Sequence, residues 1–84
     1  MILTEEISKE TLKIILDDIQ SKFNSNKFEF DTTKDGINYW CINDTEKTVF
    51  FQEGESYATL SKNDIDNEKE QDIIESLKYQ LENT

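Results

Sequence analysis

Arginine, histidine and proline are absent from these 84 residues, and glycine occurs only twice. Without arginine, all nine bases are lysines; they face 19 acids, and the formal net charge is −10. Direct nucleic-acid binding needs a basic footprint, which such a chain lacks. Anionic membrane surfaces repel it for the same reason. A partner chosen by charge is therefore basic. The lack of histidine removes the commonest general base and metal ligand, so we expect no enzyme, metal or cofactor. Cys41 is the only cysteine. It rules out an intramolecular disulfide and a cysteine-built metal knuckle, and suits a reducing cytoplasm. No apolar run approaches the roughly 20 residues of a membrane span. The start, MILTEEISKE, has no basic region followed by an apolar stretch, so it does not read as a signal peptide. With no proline and little glycine, long irregular loops are not expected. Abundant Ile, Asn and Lys fit an AT-rich bacterial or phage genome.

What is present is enough to fold. Hydrophobic residues make up 35% of the chain and nine residues are aromatic, which separates it from disordered acidic sequences. The length fits one domain, residues 1–84. Leu12, Ile15, Leu16, Ile19 and Phe23 share one helical face. Ser8 is the expected N-cap, with Ile7 and Leu12 as a hydrophobic staple, and Thr4 is the rival cap. Ile14 falls on the far side of that helix, among Glu10, Asp17 and Asp18. Asn24-Ser25-Asn26 ends the helix.

Four strands follow. KFEFDT alternates, and Asp35-Gly36 is the strongest hairpin signal in the chain, because a type I′ turn needs positive φ at both central residues. That turn pairs Phe30 with Cys41 and Asp31 with Trp40. Asn43 to Lys47 form a second turn, TVFFQ a third strand, Glu53-Gly54-Glu55 a third turn and YATL a fourth strand. A final helix is predicted from about Asp64 or Asn67 to the end, capped by Ser61, Asn63 or Asn67. Its buried stripe is Ile73, Ile74, Leu77 and Leu81. The fold class is α+β, in the order α-β-β-β-β-α. The expected architecture is an antiparallel meander with the two flanking helices on one face. The alternative puts one helix on each face.

The pairing sorts side chains by face, since alternate residues of a strand point opposite ways. Phe28, Phe30, Tyr39, Cys41, Val49, Phe51, Ala58 and Leu60 form the expected core, where Cys41 is a small buried hydrophobe rather than a nucleophile. Trp40, Ile42, Phe50 and Tyr57 share the other face with Glu29 and Asp31. In the one-sided architecture they form an exposed aromatic patch edged with acids, of the kind that marks interaction sites. In the two-sided alternative, a helix bearing Ile14 covers them.

The stretch NDIDNEKEQDIIE carries six acids and one lysine. On one continuous helix, Asp64, Glu68, Asp72 and Glu75 line up opposite the apolar stripe. Like charges at this spacing repel, and a basic partner relieves that repulsion. Such a row can also stand in for backbone phosphates in a cationic groove. The plainer reading is a solvated helix face. An EF-hand is matched at Asp64, Asp66, Glu68 and Glu75, but Lys69 stands where the loop needs glycine, so no calcium site is expected.

In size, acidity and element order the chain is similar to some phage-encoded inhibitors of CRISPR nucleases and other DNA enzymes. That likeness is one of class and shares no motif, so it carries over no residues. It implies an acidic inhibitor that occupies the basic, nucleic-acid-binding surface of a partner. The expected contacts are Asp64, Glu68, Asp72 and Glu75 for charge, with Glu29, Asp31, Trp40 and Tyr57 as a second zone. The alternative is a bacterial interaction module, such as a toxin-immunity protein or a homodimer joined through its sheet.

Overall fold

The computed structural model describes residues 8–83, with side chains from Glu10 onward. Thr4 and Ile7, and with them the rival cap and the staple, lie outside the described residues, as does the Ser8 side chain. The elements are α1 (Ser8–Asn24), β1 (Phe30–Lys34), β2 (Ile37–Cys41), β3 (Thr48–Glu53), β4 (Ser56–Ser61), α2 (Lys62–Asn67) and α3 (Glu70–Glu82). The fold is α+β, and the four antiparallel strands lie in sequence order, β1-β2-β3-β4.

Local chemistry explains the joints. Helix α1 ends in a Schellman motif. Asn26 takes φ 58°, its N–H donates to the Phe23 carbonyl at 3.0 Å, and the Lys27 N–H donates to that of Lys22 at 2.7 Å. Asp35 and Gly36 both have positive φ, 51° and 82°, as a type I′ turn requires. The register follows, with Phe30 opposite Cys41 and Asp31 opposite Trp40. Gly54, at φ 61°, turns the β3–β4 hairpin, in which Glu53 faces Ser56. Asn43 holds the β2–β3 loop by accepting the Glu46 N–H at 2.8 Å.

One face of the sheet is buried. Ile37, Tyr39, Cys41, Val49, Phe51, Ala58 and Leu60 join Leu12, Ile15, Leu16, Ile19 and Phe23 of α1, Ile65 of α2, and Ile73, Ile74, Leu77 and Leu81 of α3 in a single hydrophobic cluster. Phe28 and Phe30 pack against its margin, partly buried. Tyr39 is held from below, where its hydroxyl donates to Asp18 Oδ2 at 2.6 Å. Lys22 donates to the same oxygen at 2.6 Å. Burial opposes the charge on Asp18, but the bonds from Lys22 and Tyr39 and the Lys22 charge hold its carboxyl below the usual value. Burial, followed by the bond to Asp18 and its charge, pushes the Tyr39 phenol well up.

The C-terminal helix differs from the sequence expectation: it is two helices. Ser61 caps α2, its side chain accepting the Asp64 N–H at 3.0 Å. Glu68 and Lys69 are then extended, with ψ of 154° and 148°. The reason is the phase of one residue. At about 100° per residue, Ile65 on an unbroken helix would lie roughly 80° to 180° from Ile73, Ile74, Leu77 and Leu81. Breaking the helix resets that phase, and Ile65 is 1% exposed. Gln20 of α1 secures it by donating to the Ile65 carbonyl at 3.1 Å.

The two edges of the sheet differ. In β4 the Gln80 side chain of α3 accepts the Thr59 N–H and donates to the Thr59 carbonyl, both at 3.0 Å. The amide thus takes the place of a neighbouring strand. Edge strand β1 has no such clamp among the described residues.

Candidate functional site: an aromatic face edged with carboxylates

The second face of the sheet is laid out by the register. One row across it is Asp31, Trp40, Phe50 and Thr59; the next is Thr33, Asn38, Gln52 and Tyr57. Trp40 and Phe50, directly opposite each other, stack with centroids 5.6 Å apart and planes 11° from parallel. Cross-strand aromatic pairs of this kind stiffen a sheet. Both rings remain half-buried. Tyr57 and Ile42 are 53% and 57% exposed, and Gln52 Nε2 donates to the Tyr57 hydroxyl at 3.1 Å. Ile14, the residue needed to cover Trp40 in the two-sided alternative, is itself 50% exposed.

A carboxylate edges this face: Asp31 lies directly across from Trp40, whereas Glu29 precedes β1 and stands outside the paired register. Glu29 and Asp31 are exposed. With its amide turned to donate, Asn38 reaches Asp31 Oδ1 at 2.8 Å and Thr33 Oγ1 at 3.1 Å. That bond steadies a carboxylate beside the indole. The lysines that sit over rings do so elsewhere: Lys22 over Phe30 and Tyr39, Lys47 over Phe28 and Lys62 over Phe23. Cations are thus drawn to the margin of the buried layer, and the Trp40 face keeps its acidic edge.

The acids expected as one row are placed differently. Asp64 is half-buried within α2 and Glu68 caps its C-terminal end, whereas Asp72 and Glu75 belong to α3. They do not share one continuous helix, because the break at Glu68–Lys69 falls in the middle of the row. Glu68, Asp72 and Glu75 are exposed, and none of the four is in an ion pair among the described residues. By contrast, Asp18 and Asp66 pair with Lys22 and Lys62. Glu68 instead meets Asp17 and Glu70 around a cleft of about 50 Å³ beside Gln20. This is far below the several hundred Å³ of a small-molecule site.

Chemistry within the chain is sparse. Cys41 is 3% exposed; burial, with help from the nearby charges of Glu46 and Glu29, raises its thiol pKa. An activated cysteine has the opposite surroundings. Among the described residues no three His, Cys, Asp or Glu side chains are placed to hold a metal ion. No described helix is long and apolar enough to cross a membrane. Two participants were not anticipated from the sequence. Asn38 could have been found from the Asp35–Gly36 register, which places it across from Thr33. Gln80 carried no local signal. Comparison with known protein families, curated proteins and solved structures finds no match to this chain.

Proposed function

We propose that this protein is a small acidic, non-catalytic binding protein that occupies the basic, nucleic-acid-binding surface of a partner such as a phage-defence nuclease. The observation that carries this reading is the half-buried Trp40–Phe50 stack on the second sheet face, with Asp31 across from Trp40, in a chain of net charge −10 without arginine. Asp64, Glu68, Asp72 and Glu75 supply long-range attraction from two separate helices, which speeds encounter. Trp40 and Tyr57 lose water on contact and slow release. The break between α2 and α3 makes the acids a broad field rather than a ruler of phosphate-like spacing.

A second reading, favoured by the exposure of Ile42 and Tyr57, is an interaction module such as a toxin-immunity protein or a homodimer joined through this face. One experiment separates the two. The tagged chain is used to capture its partner from its host at low and high salt, alongside a variant with Asp64, Glu68, Asp72 and Glu75 changed to Lys. The proposal expects a basic nucleic-acid-handling protein that is lost at high salt and lost with the variant. Tight capture that survives charge reversal ends the charge-occupancy mechanism. A salt-insensitive dimer broken by Trp40→Ala supports the second reading instead.

A further inference from the structure

We infer that β1 is the docking edge, and that an extended segment of the partner, with basic side chains at alternate positions, joins the sheet there as a fifth strand. The inference rests on the reading above that the partner is basic. It starts from hydrogen-bond geometry. In a two-residue hairpin the residues flanking the turn, here Lys34 and Ile37, exchange backbone bonds, and along the strand such pairs alternate with pairs that do not. Phe30, Thr32 and Lys34 therefore turn their backbone groups towards β2. Asp31 and Thr33 turn theirs outward, and among the described residues nothing bonds them.

An open edge is normally blunted by proline, a bulge, a covering element, or charged side chains on a short strand; of these, the five-residue β1 has the charges of Asp31 and Lys34, and the carboxylate selects for a basic strand rather than against every strand. Here the other edge is closed by Gln80 at Thr59, while β1, FDTTK, has no proline and, among the described residues, no clamp. Charge selects the occupant. A residue added opposite Asp31 enters the row Asp31, Trp40, Phe50. It lies two strand spacings, about 10 Å, from Trp40. An arginine or lysine there meets the Asp31 carboxylate held by Asn38 and extends towards the indole face, where a cation is attracted. Continued one step past the start of β1, the same spacing brings the next basic residue level with Glu29, which is exposed. Backbone bonds supply affinity and alternate side chains supply selectivity, as in other strand-addition complexes. A second copy of this chain, bringing its own charge of −10, is a poor fit to the same edge.

The test uses the full chain and a blocked heptapeptide, Thr-Arg-Thr-Arg-Thr-Arg-Thr. Two derivatives are compared with it, one N-methylated at its arginines and one at its threonines. N–H groups of alternate residues point to opposite edges of a strand, so only one derivative loses bonds to β1. At low salt we expect the peptide to slow hydrogen exchange at the Asp31 and Thr33 amides by about tenfold or more. One derivative should bind about tenfold more weakly and the other within about twofold of the parent. If both derivatives bind alike and the two amides are unchanged, while binding still falls with salt, strand addition is overturned and the basic-partner reading stands. No binding of any of the peptides overturns both. Protection of Asp31 and Thr33 that rises with protein concentration alone gives the edge to a second copy and also overturns the inference.

Discussion

Replacing Gln80 by Met tests whether a side chain closes the β4 edge. Methionine matches glutamine in length and helix propensity but cannot reproduce its two bonds to Thr59, nor the weaker one at 3.2 Å from its Nε2 to Ser76 Oγ within α3. Each neutral hydrogen bond contributes about 0.5–1.5 kcal/mol net. Thr59 is exposed, so water replaces part of what is lost and the lower half of that range applies. The expected cost is about 1–2 kcal/mol for the pair. For a chain this small, with a urea m-value near the low end of about 1 kcal/mol/M, the denaturation midpoint falls by roughly 1–2 M. The thermal midpoint should fall by about 4–16 °C. Hydrogen exchange supplies a local readout, in which the Thr59 amide is protected in the parent and exchanges freely in the variant. A midpoint shift under about 0.3 M, with Thr59 still protected, would refute the reasoning, because the bonds would then contribute nothing beyond what water provides.

Other expectations are as direct. Tyr39→Phe deletes the bond to Asp18 and should cost about 1 kcal/mol, because Asp18 is partly solvated and water takes up some of the loss; urea titration measures it. The folded-state Tyr39 pKa is raised above its ordinary 10.0. Its contribution is therefore complete below about pH 10 and is lost as pH climbs towards the folded value, so Tyr39→Phe should flatten the alkaline limb of the stability profile. Asp18 has the opposite sign: its pKa is lowered from 3.8, its contribution is present above that value and disappears as pH falls below it, and Asp18→Asn should flatten the acid limb. Relative to free tryptophan, Trp40 fluorescence should be quenched more by caesium and less by iodide, given Asp31 across from the ring; the reverse order would contradict the acidic edge. Cys41 should react with a thiol reagent at a rate that tracks unfolding in urea, since the folded thiol is buried and its pKa raised.

The parts of this fold that could be read in advance were those set by local rules. Asp35-Gly36 announces its own turn, and a fixed turn fixes the register. The sidedness of Tyr39 and Trp40 therefore followed before any packing was known. The α1 stripe from Leu12 to Phe23 was equally legible, since every member sits at helical spacing and every one is buried. The helix break was not. Residues 64–75 hold no glycine or proline, and their acids suit a helix N-terminus. The clue was Ile65, whose phase disagrees with Ile73 to Leu81, but one misplaced apolar residue looks like ordinary noise until something is packed against it. The acid row was misjudged for the same reason, because its alignment assumed a continuous helix. The Gln80 clamp depends on how α3 lies against β4, and no local pattern encodes that.

The meander order has a consequence for how quickly this chain reaches its native state. Every strand pairs with its neighbour in sequence, so the sheet zips from hairpin to hairpin without closing a long loop. Folding rates fall as contacting residues become more distant along the chain, and here the distant contacts, such as Gln20 with Ile65, are left to the helices. A chain of this topology should fold within about milliseconds, at the fast end of mixed α and β domains. Slow phases from proline isomerisation are excluded because there is no proline to isomerise.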